Sequence, residues 1–129
     1  MELIEYNITP KDSLKNPYFG GSAEFTRINN HNKEIPYYKV WLFIEGLDLP
    51  FIKRVTYVLP KSFKNNRITV VQTIDNRKCV TPIWTWALFS IKIEIEDIGG
   101  RTFQINHQLT YGDEIINIDA SNWKKIHFK

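Results

Sequence analysis

The sequence predicts an all-β domain, and three observations carry that reading. Residues 89–96 alternate strictly, with Phe89, Ile91, Ile93 and Ile95 between Ser90, Lys92, Glu94 and Glu96. Period two is the mark of a strand with one buried and one wet face. After Gly99-Gly100 the alternation resumes, Phe103, Ile105, His107 and Leu109 against Thr102, Gln104, Asn106 and Gln108, so the two runs read as a hairpin. No window carries apolar residues three and four apart over a useful length, as an amphipathic helix requires.

The other elements follow in chain order. Residues 1–9 are expected to hold a first strand (Leu3, Ile4, Tyr6, Ile8), and 10–21, with Pro10, Pro17, Gly20 and Gly21, a turn-rich lead-in. Residues 24–28 read as a short strand and 29–33 as a polar turn. Residues 37–45 form a strong strand that is apolar on both faces: Tyr38, Val40, Leu42 and Ile44 on one, Tyr37, Trp41 and Phe43 on the other. Such a strand is central or lines a site. Residues 52–59 form another, stopped by Pro60, which removes a ladder donor. Residues 67–74 are β-rich and 75–77 a turn. Residues 115–118 are expected to form a strand or a short turn, and 123–128 a last edge strand guarded by Lys124, Lys125 and Lys129. Seven or so short strands fit either a sandwich or a barrel.

With 129 residues, 43% apolar and 14% aromatic, the chain suits a single domain able to bury a core without staples. The net charge of +3, from 17 basic and 14 acidic residues, is dispersed. Lys61, Lys64, Arg67, Arg77 and Lys78 come nearest to a cluster. They read better as a solvated surface than as a nucleic-acid site, which concentrates such residues. One cysteine, Cys79, precludes an internal disulfide and fits a reducing compartment. No run approaches the roughly 20 apolar residues of a membrane helix, and the N-terminus lacks the regions of a signal peptide. A cytoplasmic location is the expectation.

No catalytic or metal constellation is present. His31, His107 and His127 have no ligand spacing, and His107 shares an apolar face. Cys79 has no assignable base, so it reads as a packed residue. Glu94 and Glu96 are neighbours on a wet face beside Lys92 and read as solvated charges. No phosphate loop, nucleophile elbow or zinc-protease motif occurs. Neither an enzyme nor a cofactor is therefore expected. The unusual feature is aromatic: Trp84 and Trp86 flank Thr85 just before the strongest strand. They read either as a cap on the open end of the sandwich or as a wall of a loop-built pocket for flat or cationic groups.

Three pieces in order bring a family into view. They are Trp41-Leu42-Phe43-Ile44-Glu45-Gly46, Val55-Thr56-Tyr57-Val58-Leu59-Pro60-Lys61-Ser62-Phe63 and Trp86-Ala87-Leu88-Phe89-Ser90-Ile91. Residues 37–109 thereby resemble a YEATS domain, especially of the prokaryotic branch, with 1–36 and 112–129 as flanking strands and loops. The resemblance implies an immunoglobulin-like antiparallel β-sandwich with a pocket in the loops at one end. In eukaryotic members of the family that pocket reads acylated lysine. Carried over, it makes Phe63 and Trp86 the sandwiching aromatics, Ser62 the hydroxyl partner, and Trp86 or Ala87 the source of backbone groups, with Trp84 beside them. Pro60 stands where the eukaryotic reader has His, Thr85 where Gly is frequent, and Ala87 and Leu88 where small residues leave room. A protein or peptide bearing an acyl-lysine is the implied partner. The alternative is a protein–protein or self-association domain of a bacterial signalling or defence system, motivated by the doubly apolar strand 37–43 and by Trp123. The oligomeric state is left open.

Overall fold

In the computed structural model, which describes residues 6–30 and 33–113, eight strands form two antiparallel sheets. They are β1 (Thr9–Ser13), β2 (Phe25–Asn30), β3 (Lys33–Glu45), β4 (Ile52–Val58), β5 (Arg67–Val71), β6 (Thr81–Thr85), β7 (Ser90–Asp97) and β8 (Thr102–Gln108). One sheet runs β5-β4-β7-β8. The other is organised on β3 alone. Leu42 pairs with both Asp12 and Thr81, and Tyr38 with both Phe25 and Thr85. Since a strand has two edges, β1 and β2 lie in tandem along one edge of β3, and β6 along the other. Pro82 fits here because, among the described residues, no strand pairs with the outer edge of β6.

The period-two residues form the core between the sheets. Tyr38, Val40, Leu42 and Ile44 of β3 face Val55, Tyr57, Ile91, Ile93 and Ile95 of β4 and β7, all buried. Cross-strand pairs Val55 with Ile95, Tyr57 with Ile93, and Ile93 with Ile105 line up the same face. A register shift between Ile52 and Arg54 lets both Ile52 and Val55 point inward. The architecture is the immunoglobulin-like all-β sandwich that the sequence led us to expect. Among the described residues the only helical segments are two short 3-10 turns, Leu49–Phe51 and Tyr111–Asp113.

Several local readings are corrected. Among the described residues the first strand starts at Thr9, after Tyr6 and Ile8, so the expected lead-in contains β1. Its charged Asp12 is buried, and the motif Thr-Pro-Lys-Asp-Ser offers no apolar alternation. The turn expected at 29–33 is shorter, because Asn29 and Asn30 pair with Glu34 and Lys33. Residues 81–85, read as an approach to β7, are a strand of the opposite sheet. The doubly apolar strand is central, as expected, with β1 and β2 on one edge and β6 on the other; on its outer face Phe43 is buried, and the Lys78 ammonium sits over the rings of Phe43 and Tyr18. The strands expected at 115–118 and 123–128, together with Leu3, Ile4, His31 and His127, lie outside the described residues.

The chain turn after β3 depends on Gly46, whose φ is +142°, and a Cβ there would lie 1.9 Å from the Asn7 carbonyl oxygen. Backbone at that distance cannot step aside, which accounts for Gly at the end of the Trp41–Gly46 motif.

At this same end of the sandwich Asp97 is buried. It accepts hydrogen bonds from the Tyr6 hydroxyl, the Gly99 and Arg101 amides and the Arg101 guanidinium. The Tyr6 bond foremost, then the Arg101 amide and charge, hold its carboxyl below the ordinary aspartate value of 3.8. A depressed carboxylate stabilises the fold above its unfolded pKa, and that stability is lost as pH falls through the folded pKa. The unfolding temperature is therefore expected to decline as pH is lowered from about 5 into the acid range, and Asp97→Asn to flatten the decline. Identical slopes for the two proteins in a calorimetric pH series would contradict this.

Candidate functional site

The end of the sandwich away from Gly46 and Asp97 carries a cleft of about 480 Å³, within the range of small-ligand sites. Two loops build it. The first joins β4 to β5. The Leu59 amide donates to the Asn66 carbonyl (2.7 Å) and the Phe63 amide to the Pro60 carbonyl (3.0 Å). Residues 60–63 are thus a tight turn, with proline's fixed φ at its start. The turn leaves Ser62 exposed at the rim and tips the Phe63 ring onto Phe89, with centroids 5.3 Å apart. The second loop, residues 86–89, carries the chain from β6 in one sheet to β7 in the other.

Trp84 and Trp86 sit on the same side of that crossing, each 43% exposed, while Thr85 between them is buried. Both tryptophans line the cleft with Ala87, Phe89, Ser62 and Phe63. All five residues singled out from the sequence, Ser62, Phe63, Trp84, Trp86 and Ala87, are therefore brought to one place. Pro60 also lines it. Leu88 does not; it is 40% exposed and turned outward, so it does not narrow the cleft. Ala87 supplies wall rather than free hydrogen-bonding groups. Its amide donates to Thr85 Oγ1 (3.2 Å), and its carbonyl accepts from the Tyr111 hydroxyl (2.6 Å). One of the two backbone sources expected from the resemblance, Ala87, is thus already engaged within the chain.

Three lining residues were missed. Tyr37 comes from the outer face of β3, Phe89 forms part of the cleft from the start of the β7 stripe, and Lys64 follows the Ser62-Phe63 pair. The alternation of 37–43 placed Tyr37 away from the core, which was the available signal. Lys64 is the single charged residue of the lining, and no carboxylate accompanies it.

The remaining candidates are held in structural contacts. Cys79 is buried, and burial pushes its thiol pKa up to about 12, so it is a poor nucleophile. Glu94 pairs with Arg67 (2.6 Å) and Glu96 with Arg54 (3.2 Å). Lys78 is engaged with Glu45. His107 Nε2 lies 2.6 Å from Asp12 Oδ1. Among the described residues no three His, Cys, Asp or Glu side chains are grouped to hold a metal ion, and no helix is long and apolar enough to cross a membrane.

The family model for the prokaryotic YEATS domain matches residues 38–110, close to the span that carries the sequence resemblance. That is more than half of the chain, and the chain belongs to this family. No curated protein matches it in sequence. Among solved structures the chain is similar to the Yaf9 YEATS domain recognising an H3K122suc peptide. There the identity is 14%, over 84% of this chain and 78% of that one, with a TM-score of 0.47. It is also similar to the Yaf9 YEATS domain bound to H3K27ac, at 16% identity over 84% and 77% with a TM-score of 0.46. A third is the yeast AF-9 homologue Yaf9, at 19% identity over 81% and 63% with a TM-score of 0.48.

Proposed function

We propose that this domain is a non-catalytic binding module whose cleft takes a small, flat, uncharged group, with acylated lysine on a protein or peptide as the ligand class. The observation that carries the reading is the lining itself. Aromatic rings from two loops enclose the cleft, a serine hydroxyl stands at its rim, and its one charge is Lys64 with no carboxylate beside it. An acyl-lysine amide is planar and neutral, so it fits between π-faces and needs only one or two directed hydrogen bonds. An unmodified lysine would bring an ammonium next to Lys64 with no counter-charge to pair it. In this reading the Ser62 hydroxyl and the Trp86 backbone bind the amide, and Phe63, Trp84 and Trp86 supply the stacking surfaces.

Calorimetric titration with peptides that differ only in lysine acylation tests this. Saturable heat is expected with acetyl- or crotonyl-lysine peptides and none with the unmodified peptide. Equal binding of all three, or of none, would remove the acyl-lysine reading.

A further inference from the structure

We infer that Tyr111 is a positioning residue for the cleft, holding the Trp86-Ala87 wall in place from behind without touching the ligand. This rests on the reading of the cleft as the binding site. The crossing at 86–89 leaves the ladder of β6 before joining that of β7, so its backbone needs partners outside the strands. Residues 109–111 supply them. The Leu109 amide donates to the Phe89 carbonyl at 3.0 Å, and the Tyr111 hydroxyl to the Ala87 carbonyl at 2.6 Å. Thr85 holds the other side of the same peptide segment, its Oγ1 accepting from the Ala87 amide at 3.2 Å.

Tyr111 is itself rigidly placed. It is fully buried and does not line the cleft. Its amide donates to Asp12 Oδ2 at 2.6 Å, and its ring packs on Tyr38 with centroids 5.9 Å apart. Its backbone lies at φ +55°, followed by Gly112 at +68°, a turn that directs the side chain back across the end of the sandwich. Tyr111 thus links the buried carboxylate of β1, through its backbone amide, to the wall that carries Trp86, through its hydroxyl.

Tyr111→Phe keeps the ring and removes the bond to Ala87. Tyr57→Phe is the matched control, since Tyr57 is equally buried and donates to the Cys79 carbonyl at 2.7 Å, away from the cleft. In the ligand-free protein, amide exchange at Ala87 is expected to accelerate about tenfold in Tyr111→Phe and not in Tyr57→Phe, the factor for losing one local hydrogen bond. Acetyl-lysine peptide should dissociate faster from Tyr111→Phe alone. Equal exchange at Ala87 in the two variants, or no change in either, would overturn the role. Failure of the wild-type protein to bind any acylated peptide overturns the ligand reading alone. The exchange measurement, made without ligand, then still decides for or against Tyr111.

Discussion

Replacing Asp12 by alanine is expected to be the most damaging single substitution away from the apolar core. The carboxylate has no exposed surface. It accepts from the Thr110 and Tyr111 amides at 3.0 and 2.6 Å, and from His107 Nε2 at 2.6 Å. A carboxylate only accepts, so Nε2 must carry the hydrogen. Asp12 lies in β1, His107 in β8, and Thr110 just beyond it, so one side chain joins the two sheets along an edge where they share no ladder. Truncation leaves the Thr110 and Tyr111 amides and the His107 ring nitrogen without their partner, and at about 1–3 kcal/mol for each unsatisfied buried group the total is about 3–5 kcal/mol. For a domain of this size that corresponds to roughly 10–20 °C in unfolding temperature. Asp12→Asn keeps the shape and one acceptor but turns an amide NH₂ toward backbone donors, and should fall between. A loss below about 1 kcal/mol for Asp12→Ala in chemical denaturation would show that the clamp is unimportant.

The second large effect is on binding. Trp86→Ala and Phe63→Ala each remove an aromatic wall of the cleft. The expected penalty is roughly 1–3 kcal/mol, about 5- to 150-fold in affinity for an acylated peptide. Trp86 is nearly half exposed and so contributes little to the core, and the fold should survive its loss. Phe63 packs against Phe89, so Phe63→Ala should cost some stability as well. Leu88→Ala is the internal comparison, because Leu88 is turned outward and should leave affinity unchanged. If Trp86→Ala and Leu88→Ala bind alike, the cleft is not where the ligand sits.

What the sequence made legible divides along physical lines. β3, β4, β7 and β8 were readable because each carries its own alternation, and a sheet with one buried face imposes period two on every strand that crosses it. β1 was not, since its inward residue is Asp12, a polar group whose burial depends on partners about a hundred positions away. β6 was hidden for a similar reason. Its inward residues are only Ile83 and Thr85, and the exposed Trp84 and Pro82 dominate its appearance. The candidate site was legible through short motifs, Ser62-Phe63 and Trp84 to Ala87, whose residues meet because β4 and β6 end on the same side of the sandwich. Tyr111 carried no such mark. Its contact with Ala87 spans 24 positions and follows from the left-handed turn at 111–112, which no local pattern announces. The self-association alternative drew on the apolar outer face of β3, where Phe43 is buried and Lys78 sits over its ring while Tyr37 opens onto the cleft, and on Trp123, which lies outside the described residues.

The central claim, that this cleft binds acylated lysine, is tested most directly by an amide NMR titration with acetyl-lysine, crotonyl-lysine and unmodified lysine peptides. The account predicts shifts confined to Ser62, Phe63 and residues 84–88, with the acylated peptides only. Shifts centred elsewhere, or none with any peptide, would contradict it.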